Sequence, residues 1–116
     1  MLNVVISRKR WGMHSLRDSI DDRMCCMGFA CRTAGYAART LVGRGMVCDL
    51  LNEGRKLKEG LEKLVRSDTS GTFWEDTIIA AELARVNDDE CMEDEIKEKT
   101  IIKLGKKAGI KFSFIN

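Results

Sequence analysis

Two arginines and a tryptophan follow a short apolar segment near the start of the sequence, in the run Arg8-Lys9-Arg10-Trp11-Gly12. Arginine binds phosphate oxygens through paired hydrogen bonds, and tryptophan stacks on nucleobases. The run therefore predicts a binding site for a phosphate-bearing small molecule, which other basic residues of the first half would complete. The candidate ligand-binding residues are Arg8, Arg10, Trp11, His14, Arg17 and Arg44.

The charge distribution agrees with an anion site in the first half of the chain. Residues 1–47 carry eight Lys or Arg against three acids, whereas residues 48–116 carry twelve against fifteen. The sequence pI of about 8.3 lies below the value of about 9 that is typical of duplex-DNA readers. A small nucleotide is therefore a better match than a long polyanion. A solvated basic surface is the alternative interpretation.

The sequence contains few residues of the kind that enzymes use for hydrolysis or group transfer. His14 is the only histidine, and the chain has no Gly-x-Ser-x-Gly motif. The acidic run Asp88-Asp89-Glu90 lacks the alternating spacing of a calcium loop. We therefore predict no catalytic residue, no metal site and no cofactor. An acid or base role for His14 is the alternative.

The five cysteines, Cys25, Cys26, Cys31, Cys48 and Cys91, are scattered along the chain without a Cys-x-x-Cys pair. A structural zinc site needs four closely spaced ligands, usually in two short-spaced pairs. The odd number of cysteines and the adjacent pair argue against a disulfide framework. We predict reduced thiols that pack as small hydrophobic side chains in a reducing cytosol.

The two ends of the chain have the pattern of strands. Residues 2–7 are rich in β-branched side chains, and residues 110–115 alternate apolar and polar side chains. We expect these terminal strands to pair with each other, with a third short strand near residues 45–48. A two-stranded sheet is marginal on its own, so helices would cover it or the sheet would extend across a dimer.

Four segments between these strands have helical patterns. Residues 24–34 form an apolar run that ends at Gly35, and residues 48–65 repeat leucine at helical spacing. A Thr-x-x-Glu capping box at Thr72 predicts a helix over residues 73–86. The chain is therefore predicted to be one α+β domain, residues 1–116, with paired terminal strands packed against about four helices.

The fourth helical segment, residues 91–107, places its acids first and its lysines last. This order complements the helix dipole. The pairs Glu93–Lys97 and Glu95–Lys99 have the i, i+4 spacing of helix-stabilising ion pairs. The acidic cluster therefore has a structural explanation without a bound cation.

The leucines of residues 48–65, at positions 50, 57, 61 and 64, would form one face of an amphipathic helix that starts near Asp49 or after Gly54. Such a face packs into a core or, as the alternative, lines a contact between subunits. Because the sheet is small, we expect a homo-oligomer. The mean hydropathy of −0.23 and the lack of a long apolar run predict no membrane span, and the basic run follows the first apolar stretch, unlike a signal peptide.

The segment Met24-Cys25-Cys26-Met27-Gly28-Phe29-Ala30-Cys31, followed by Ala34-Gly35-Tyr36, resembles a recurring pattern in small, functionally uncharacterised tailed-phage accessory proteins. The run Arg10-Trp11-Gly12 is similar to the same group, as is the tail from Ala84-Arg85-Val86-Asn87 to Ala108-Gly109-Ile110-Lys111-Phe112. The resemblance covers about half of the chain and leaves out residues 48–72. It implies a phage gene expressed in the cytoplasm of an infected bacterial host, and it carries no catalytic residue over.

Small phage accessory proteins commonly bind and block a component of the host, often one that serves defence. Together with the basic loop, the resemblance implies a non-enzymatic counter-defence binder that sequesters an anionic nucleotide signal. Two alternatives stay open. One is a protein inhibitor that binds and masks a host enzyme, and the other is an enzyme that degrades the nucleotide signal.

Overall fold

The structure, a computed structural model, describes residues 1–67, 72–75 and 79–116 and has the predicted α+β fold. In chain order, the elements are β1 (Leu2–Ser7), α1 (Cys26–Ala34), α2 (Ala38–Leu41), α3 (Val47–Asn52), a 3-10 turn (Glu62–Leu64), β2 (Val65–Ser67), β3 (Phe73–Glu75), α4 (Ala80–Asn87), α5 (Asp94–Lys107) and β4 (Ile110–Ile115). No helix of the described ranges is long and apolar enough to cross a membrane.

The terminal strands pair with each other, which confirms the prediction. β1 and β4 run parallel, with Val4 opposite Phe112 and Ile6 opposite Phe114. Because side chains alternate along a strand, Val4, Ile6 and Phe112 share one face, where they are buried. Helix α1 packs against β1 and helix α5 packs against β4. The other face of the sheet is open and exposes half of the Val5 surface.

A close approach at Gly28 fixes the position of α1. A Cβ atom on Gly28 would stand 2.0 Å from the carbonyl oxygen of Leu16, far inside van der Waals contact. The N–H of Cys25 donates to the carbonyl of Ser15 at 3.0 Å, which ties the start of α1 to the same segment. The Met-Cys-Cys-x-Gly-Phe pattern therefore has a packing role in this chain.

The amphipathic helix predicted within residues 48–65, starting near Asp49 or after Gly54 and running to the last leucine, was wrong in its extent. Helix α3 ends at Asn52, and Gly54 and Gly60 follow with φ values of 92° and 101°. These left-handed conformations stop a right-handed helix and favour glycine. The third strand expected near residues 45–48 was also wrong, because Met46 is the N-cap of α3.

The leucine positions of this segment point into the protein core. Leu50, Leu61 and Leu64 are fully buried, and Leu57 packs against the same core at its edge. These contacts identify core packing as the reason for the spacing and contradict the alternative of a subunit contact built on them. The apolar spacing was recognised correctly, whereas the helix was not.

The capping box at Thr72 was a wrong prediction as well. Residues 73–75 form β3, which pairs antiparallel with β2, and the next helix begins at Ala80. The N–H of Phe73 donates to Asn52 Oδ1 at 2.8 Å, and Asn52 Nδ2 donates back to the Phe73 carbonyl at 3.0 Å. Adjacent aromatic residues also favour a strand. The part of the predicted helix at residues 76–78 lies outside the described residues.

The charge order of the last helix is confirmed, although the helix is shorter than predicted. Helix α5 starts at Asp94, with Glu93 as its N-cap, and its last turn contains Lys106 and Lys107. Acids therefore lie at the positive end of the dipole and lysines at the negative end. The pair Glu95–Lys99 forms, with 3.4 Å between Nζ and Oε1.

Candidate functional site

A cleft of about 270 Å³ lies directly beyond the carboxyl end of β1. In larger open α/β sheets, ligands bind in crevices beyond the carboxyl ends of the strands, so we take this cleft as the candidate site. The lining residues come from the loop after β1, the segment just before α1, the end of α4 and the first turns of α5. They are Arg8, Trp11, Gly12, Met13, Arg23, Asn87, Asp94, Lys97 and Glu98.

The amide of Asn87 holds the walls of the cleft together. Its Oδ1 accepts hydrogen bonds from Trp11 Nε1 at 2.7 Å and from the Cys26 N–H at 3.0 Å, and its Nδ2 donates to the Gly12 carbonyl at 3.0 Å. Asn87 is 1% exposed. One buried side chain thus joins the basic loop, the start of α1 and the end of α4.

Lys97 is the buried charge of the cleft. Only 6% of its surface is exposed, and its Nζ donates to the backbone oxygen of Asn87 at 3.2 Å. The predicted pair with Glu93 does not form, and no carboxylate of residues 1–67, 72–75 and 79–116 pairs with this ammonium. Because an ammonium has three donors, Lys97 keeps hydrogen-bonding capacity for a ligand.

Trp11 forms a wall of the cleft behind this ammonium. Its ring centre lies 4.8 Å from that of Phe114 and 5.8 Å from Lys97 Nζ. The indole N–H is bonded to Asn87, and the ring is partly buried against the core. The favourable interaction of a cation with the face of an aromatic ring therefore helps hold the Lys97 ammonium in the cleft.

Arg8 and Arg23 bring two guanidinium groups to the cleft in different states. Arg8 donates two hydrogen bonds to the carboxylate of Glu98, at 2.8 and 2.7 Å. Hydrogen bonding to Glu98, reinforced by its charge, raises the pKa of Arg8 above the usual value. The Arg23 guanidinium has no hydrogen bond or ion pair within the described part of the chain.

The charges that line the cleft add up to a small positive excess. Arg8, Arg23 and Lys97 oppose the carboxylates of Asp94 and Glu98. Since Glu98 is already paired with Arg8, Lys97 and Arg23 are the cations that an incoming anion meets without displacing an existing ion pair.

Arg10 and Arg17 lie together outside this lining. Both donate to the carboxylate of Asp22, Arg10 at 2.9 Å and Arg17 through Nε. The hydrogen bond from Arg17 lowers the pKa of Asp22, helped by the charges of Arg17 and Arg10. These two predicted site residues therefore fold the loop at Asp22, whose φ of 64° is left-handed.

His14 lies on the rim and is bound to Asp88. The His14 backbone N–H donates to Asp88 Oδ1 at 2.9 Å, and Nδ1 lies 3.4 Å from Oδ2. The side chain of His14 is 67% exposed, and its backbone φ is 72°. The structure thus supplies a histidine held by a carboxylate, next in sequence to the lining residue Met13.

Arg44 does not line the cleft. Its guanidinium donates to both carboxylate oxygens of Glu53 and to the carbonyl of Val42. The hydrogen bond from Arg44, followed by its charge, lowers the pKa of Glu53. Of the six predicted ligand-binding residues, the structure brings only Arg8 and Trp11 to the cleft.

Sequence reasoning missed Arg23, Asn87 and Lys97 as site residues. A signal for Lys97 exists, because the buried positions of α5 are Lys97, Ile101 and Gly105, at intervals of one helical turn. Lysine is rarely buried on the apolar face of a helix unless its charge has a partner, so its position there is a signal of a site. Arg23 and Asn87 carry no comparable sequence signal, since only the tertiary fold brings them to the loop.

A larger cavity of about 500 Å³ lies at the opposite end of the sheet, near Leu2 and Gly109. Both oxygens of the Glu62 carboxylate there accept the N–H of Gly60, at 2.9 and 3.0 Å. Its lining contains no charged side chain that is fully buried. We therefore favour the smaller cleft, where a buried cation and the carboxyl end of a strand coincide.

The cysteines lie apart from the cleft lining. Cys25, Cys26 and Cys31 are buried in the core, as predicted, and Cys48 is half-buried. The prediction was wrong for Cys91, which is exposed. Burial raises the pKa of the Cys25 thiol to about 11, and burial followed by the neighbouring Cys25 raises the pKa of Cys26 as well. Within the described ranges, no group of three His, Cys, Asp or Glu side chains is placed to hold a metal ion.

Comparison of the chain with protein-family models, with curated proteins and with solved structures found no match.

Proposed function

We propose that this protein is a non-enzymatic binder that captures a small phosphate-bearing nucleotide in the cleft beyond β1. The observation that carries the proposal is Lys97, a buried ammonium without a carboxylate partner in the described chain. Burying an unpaired charge is costly. A ligand anion in the cleft would supply the missing partner.

Arg23 and Lys97 give the chemistry of phosphate recognition. The guanidinium presents a planar set of donors that matches two phosphate oxygens, and the ammonium presents a point charge. Charge-assisted hydrogen bonds of this kind contribute about 1.5–3 kcal/mol each. Arg8 would provide a third cation if the ligand displaced Glu98, with which Arg8 is paired.

The volume of the cleft sets the size of the ligand. About 270 Å³ lies just below the range of about 300–1,000 Å³ that is typical of sites for drug-sized ligands. A mononucleotide, bound through its phosphate end with the base toward the open side, fits this space better than a long polyanion.

The chemistry of the lining favours binding over turnover. Among the residues that the structure describes, no serine, threonine, cysteine or histidine lines the cleft, so these residues offer no hydroxyl, thiol or imidazole nucleophile there. In the setting that the resemblance to phage accessory proteins implies, capture of a nucleotide signal without its destruction would counter a host defence in the bacterial cytoplasm.

Two observations favour other functions. The imidazole Nδ1 of His14 lies 3.4 Å from the Asp88 carboxylate at the rim, and a histidine close to a carboxylate favours a nucleotide-degrading enzyme with His14 as its acid or base. Ile20 is 94% exposed at the tip of a loop in which Asp18 accepts hydrogen bonds from two backbone N–H groups. A rigid apolar tip favours a protein inhibitor that docks on a host enzyme.

Calorimetric titration with nucleoside mono-, di- and triphosphates, cyclic dinucleotides and inorganic phosphate tests the proposal. Lys97→Met and Arg23→Ala should each weaken nucleotide binding at least tenfold, about 1.4 kcal/mol. Arg44→Ala, the matched control outside the cleft, should change it by less than about twofold. Wild-type protein that binds none of these ligands overturns the proposal.

Recovery of the ligand separates the binder from the enzyme. After incubation the protein is heat-denatured, and the nucleotide is analysed by chromatography. An intact nucleotide supports sequestration. A hydrolysed nucleotide whose formation stops in His14→Gln identifies the enzyme instead, and binding to a host protein that Ile20→Asp abolishes identifies the inhibitor.

A further inference from the structure

Strand β1 has one paired edge and one unpaired edge. The N–H of Leu2 donates to Gly109 at 3.0 Å, and the N–H of Arg8 donates to Ile115 at 2.8 Å. Backbone groups alternate in direction along a strand, so those of Asn3, Val5 and Ser7 point away from β4. Within the described residues, the N–H and C=O groups of Asn3 and Val5 have no hydrogen-bond partner.

The free edge lacks the features by which proteins protect exposed strands. Edge strands commonly carry lysine, proline or a bulge. The sequence of β1, Leu-Asn-Val-Val-Ile-Ser, contains no charged residue, no proline and no glycine, and its pairing with β4 has no bulge. The edge is therefore suited to pair with another strand.

The other edge of the sheet, on β4, is less open. Helix α5 runs beside it, and the carbonyl oxygen of Ile110 lies 2.9 Å from the position of a Cβ on Gly105. The exposed face of β4 also carries Lys111. A strand would meet a helix and a charged side chain there, whereas β1 carries no charged residue.

We propose that the free edge of β1 binds the same edge of a second copy of this chain, antiparallel, with the two-fold axis at Val5. The outward-facing residues are symmetric about Val5, because Asn3 and Ser7 lie two positions to either side. In this register Val5 faces Val5, and Asn3 faces Ser7 of the other copy. Every outward N–H of the three residues then meets a carbonyl.

The chemistry of the edge favours a second copy over another occupant. The facing pairs are neutral, so no like charges meet across the axis. The Ser7 carbonyl already accepts the Arg10 N–H at 3.0 Å but has a second lone pair. A parallel two-stranded sheet with an open face is unusual and marginal, and the pairing would convert it into a four-stranded sheet.

Sedimentation equilibrium from about 5 μM to about 1 mM tests the proposal on the intact protein. Wild type should show twice the chain mass of 13.1 kDa at high concentration. Val5→Lys places two like charges opposite each other at the axis and should raise the dissociation constant at least tenfold. Ser113→Lys puts the same charge on the same face beside Val5, but on β4, and should leave dimerisation nearly unchanged.

A charge pair tests the register itself. The double variant Asn3→Lys with Ser7→Glu should dimerise, since each lysine faces a glutamate, whereas Asn3→Lys with Ser7→Lys should be a monomer. Circular dichroism should show folded protein for both, because the substituted side chains lie on the open face. A wild-type monomer at about 1 mM, or a dimer that the charge changes do not affect, overturns the proposal.

Discussion

The side-chain oxygen of Asn87 lies 2.7 Å from the indole nitrogen of Trp11 and accepts its hydrogen bond. The residues are 76 positions apart, so the basic loop is held by the end of α4. The same oxygen accepts the Cys26 N–H at 3.0 Å. The cleft therefore depends on a contact made by the whole fold and not on the loop alone.

Asn87→Ala should lower the free energy of unfolding by about 3 kcal/mol. The change leaves the partly buried indole N–H of Trp11 and the buried N–H of Cys26 without an acceptor, and each such loss costs about 1–3 kcal/mol. Urea denaturation measures the effect. Asn52→Ala is the matched control, because its bonds to Phe73 are exposed and water replaces them, so its loss should be about 1 kcal/mol or less. Equal losses would contradict the role given to Asn87.

The terminal strands and the charge order of α5 were predictable because local pattern determines them. Alternation places Val4 and Phe112 on a buried face, and helix-dipole preferences place acids and lysines at opposite ends. The segment after α3 was not predictable in this way. Its leucines keep helical spacing, but Gly54 and Gly60 adopt left-handed conformations, and the leucines reach the core from an irregular chain.

The candidate site was predictable only in part, for a similar reason. Arg8 and Trp11 follow a strand end in sequence, and so they reach the cleft. Arg10 and Arg17 instead pair with Asp22. The backbone of Asp22 is left-handed, and residue spacing in the sequence does not predict such a conformation. Lys97 reaches the cleft because the first turns of α5 lie beside the loop after β1, where Glu98 pairs with Arg8, and only the tertiary fold determines that placement.

Gly28→Ala should destabilise the protein by at least about 2–3 kcal/mol, the upper part of the range for overpacking. The new Cβ would stand 2.0 Å from the Leu16 carbonyl oxygen, and the backbone of Leu16, which is itself fully buried, has little room to move. Thermal unfolding followed by circular dichroism measures the loss. Gly45→Ala meets only open space near Asp49 and should be almost neutral, so a similar loss there would argue against the close approach.

The thiols should react with a maleimide in an order set by burial. Cys91 is exposed and Cys48 half-buried, whereas Cys25, Cys26 and Cys31 are buried. Burial also raises the pKa of Cys25 to about 11, so its reactive thiolate is scarce near pH 8. Mass spectrometry of native protein should show labelling first at Cys91. Labelling of Cys25 before unfolding would show that the start of α1 opens.

Asp22→Asn should reduce stability near neutral pH and have little effect in acid. The hydrogen bond from Arg17 holds the pKa of Asp22 below its usual value of 3.8. A depressed folded-state pKa adds stability above the unfolded pKa, and this stability is lost as pH falls through the folded value. Melting temperatures from about pH 7 to about pH 2 should therefore converge for wild type and variant. A stability difference that persists at the acid end would contradict this role of the Asp22 carboxylate.

The stability of the Lys97→Met variant shows whether Lys97 serves ligand binding or the stability of the fold. The substitution removes a buried charge and keeps most of the side-chain volume, and such changes are often neutral or stabilising. It also removes the hydrogen bond to the Asn87 carbonyl, worth about 1 kcal/mol. We therefore expect the free energy of unfolding in urea to change by less than about 1 kcal/mol in either direction.

The neighbouring position gives the scale for that result. Ile101 lies one turn along the same buried face of α5. Ile101→Ala should lower the free energy of unfolding by about 2–5 kcal/mol, because it leaves a cavity in the core. A Lys97→Met protein that loses as much would show that the ammonium holds the fold together through Asn87 and Trp11. A Lys97→Met protein that keeps its stability would show that the fold does not need the buried charge. Binding of an anionic ligand would then be the reason for a lysine at this position.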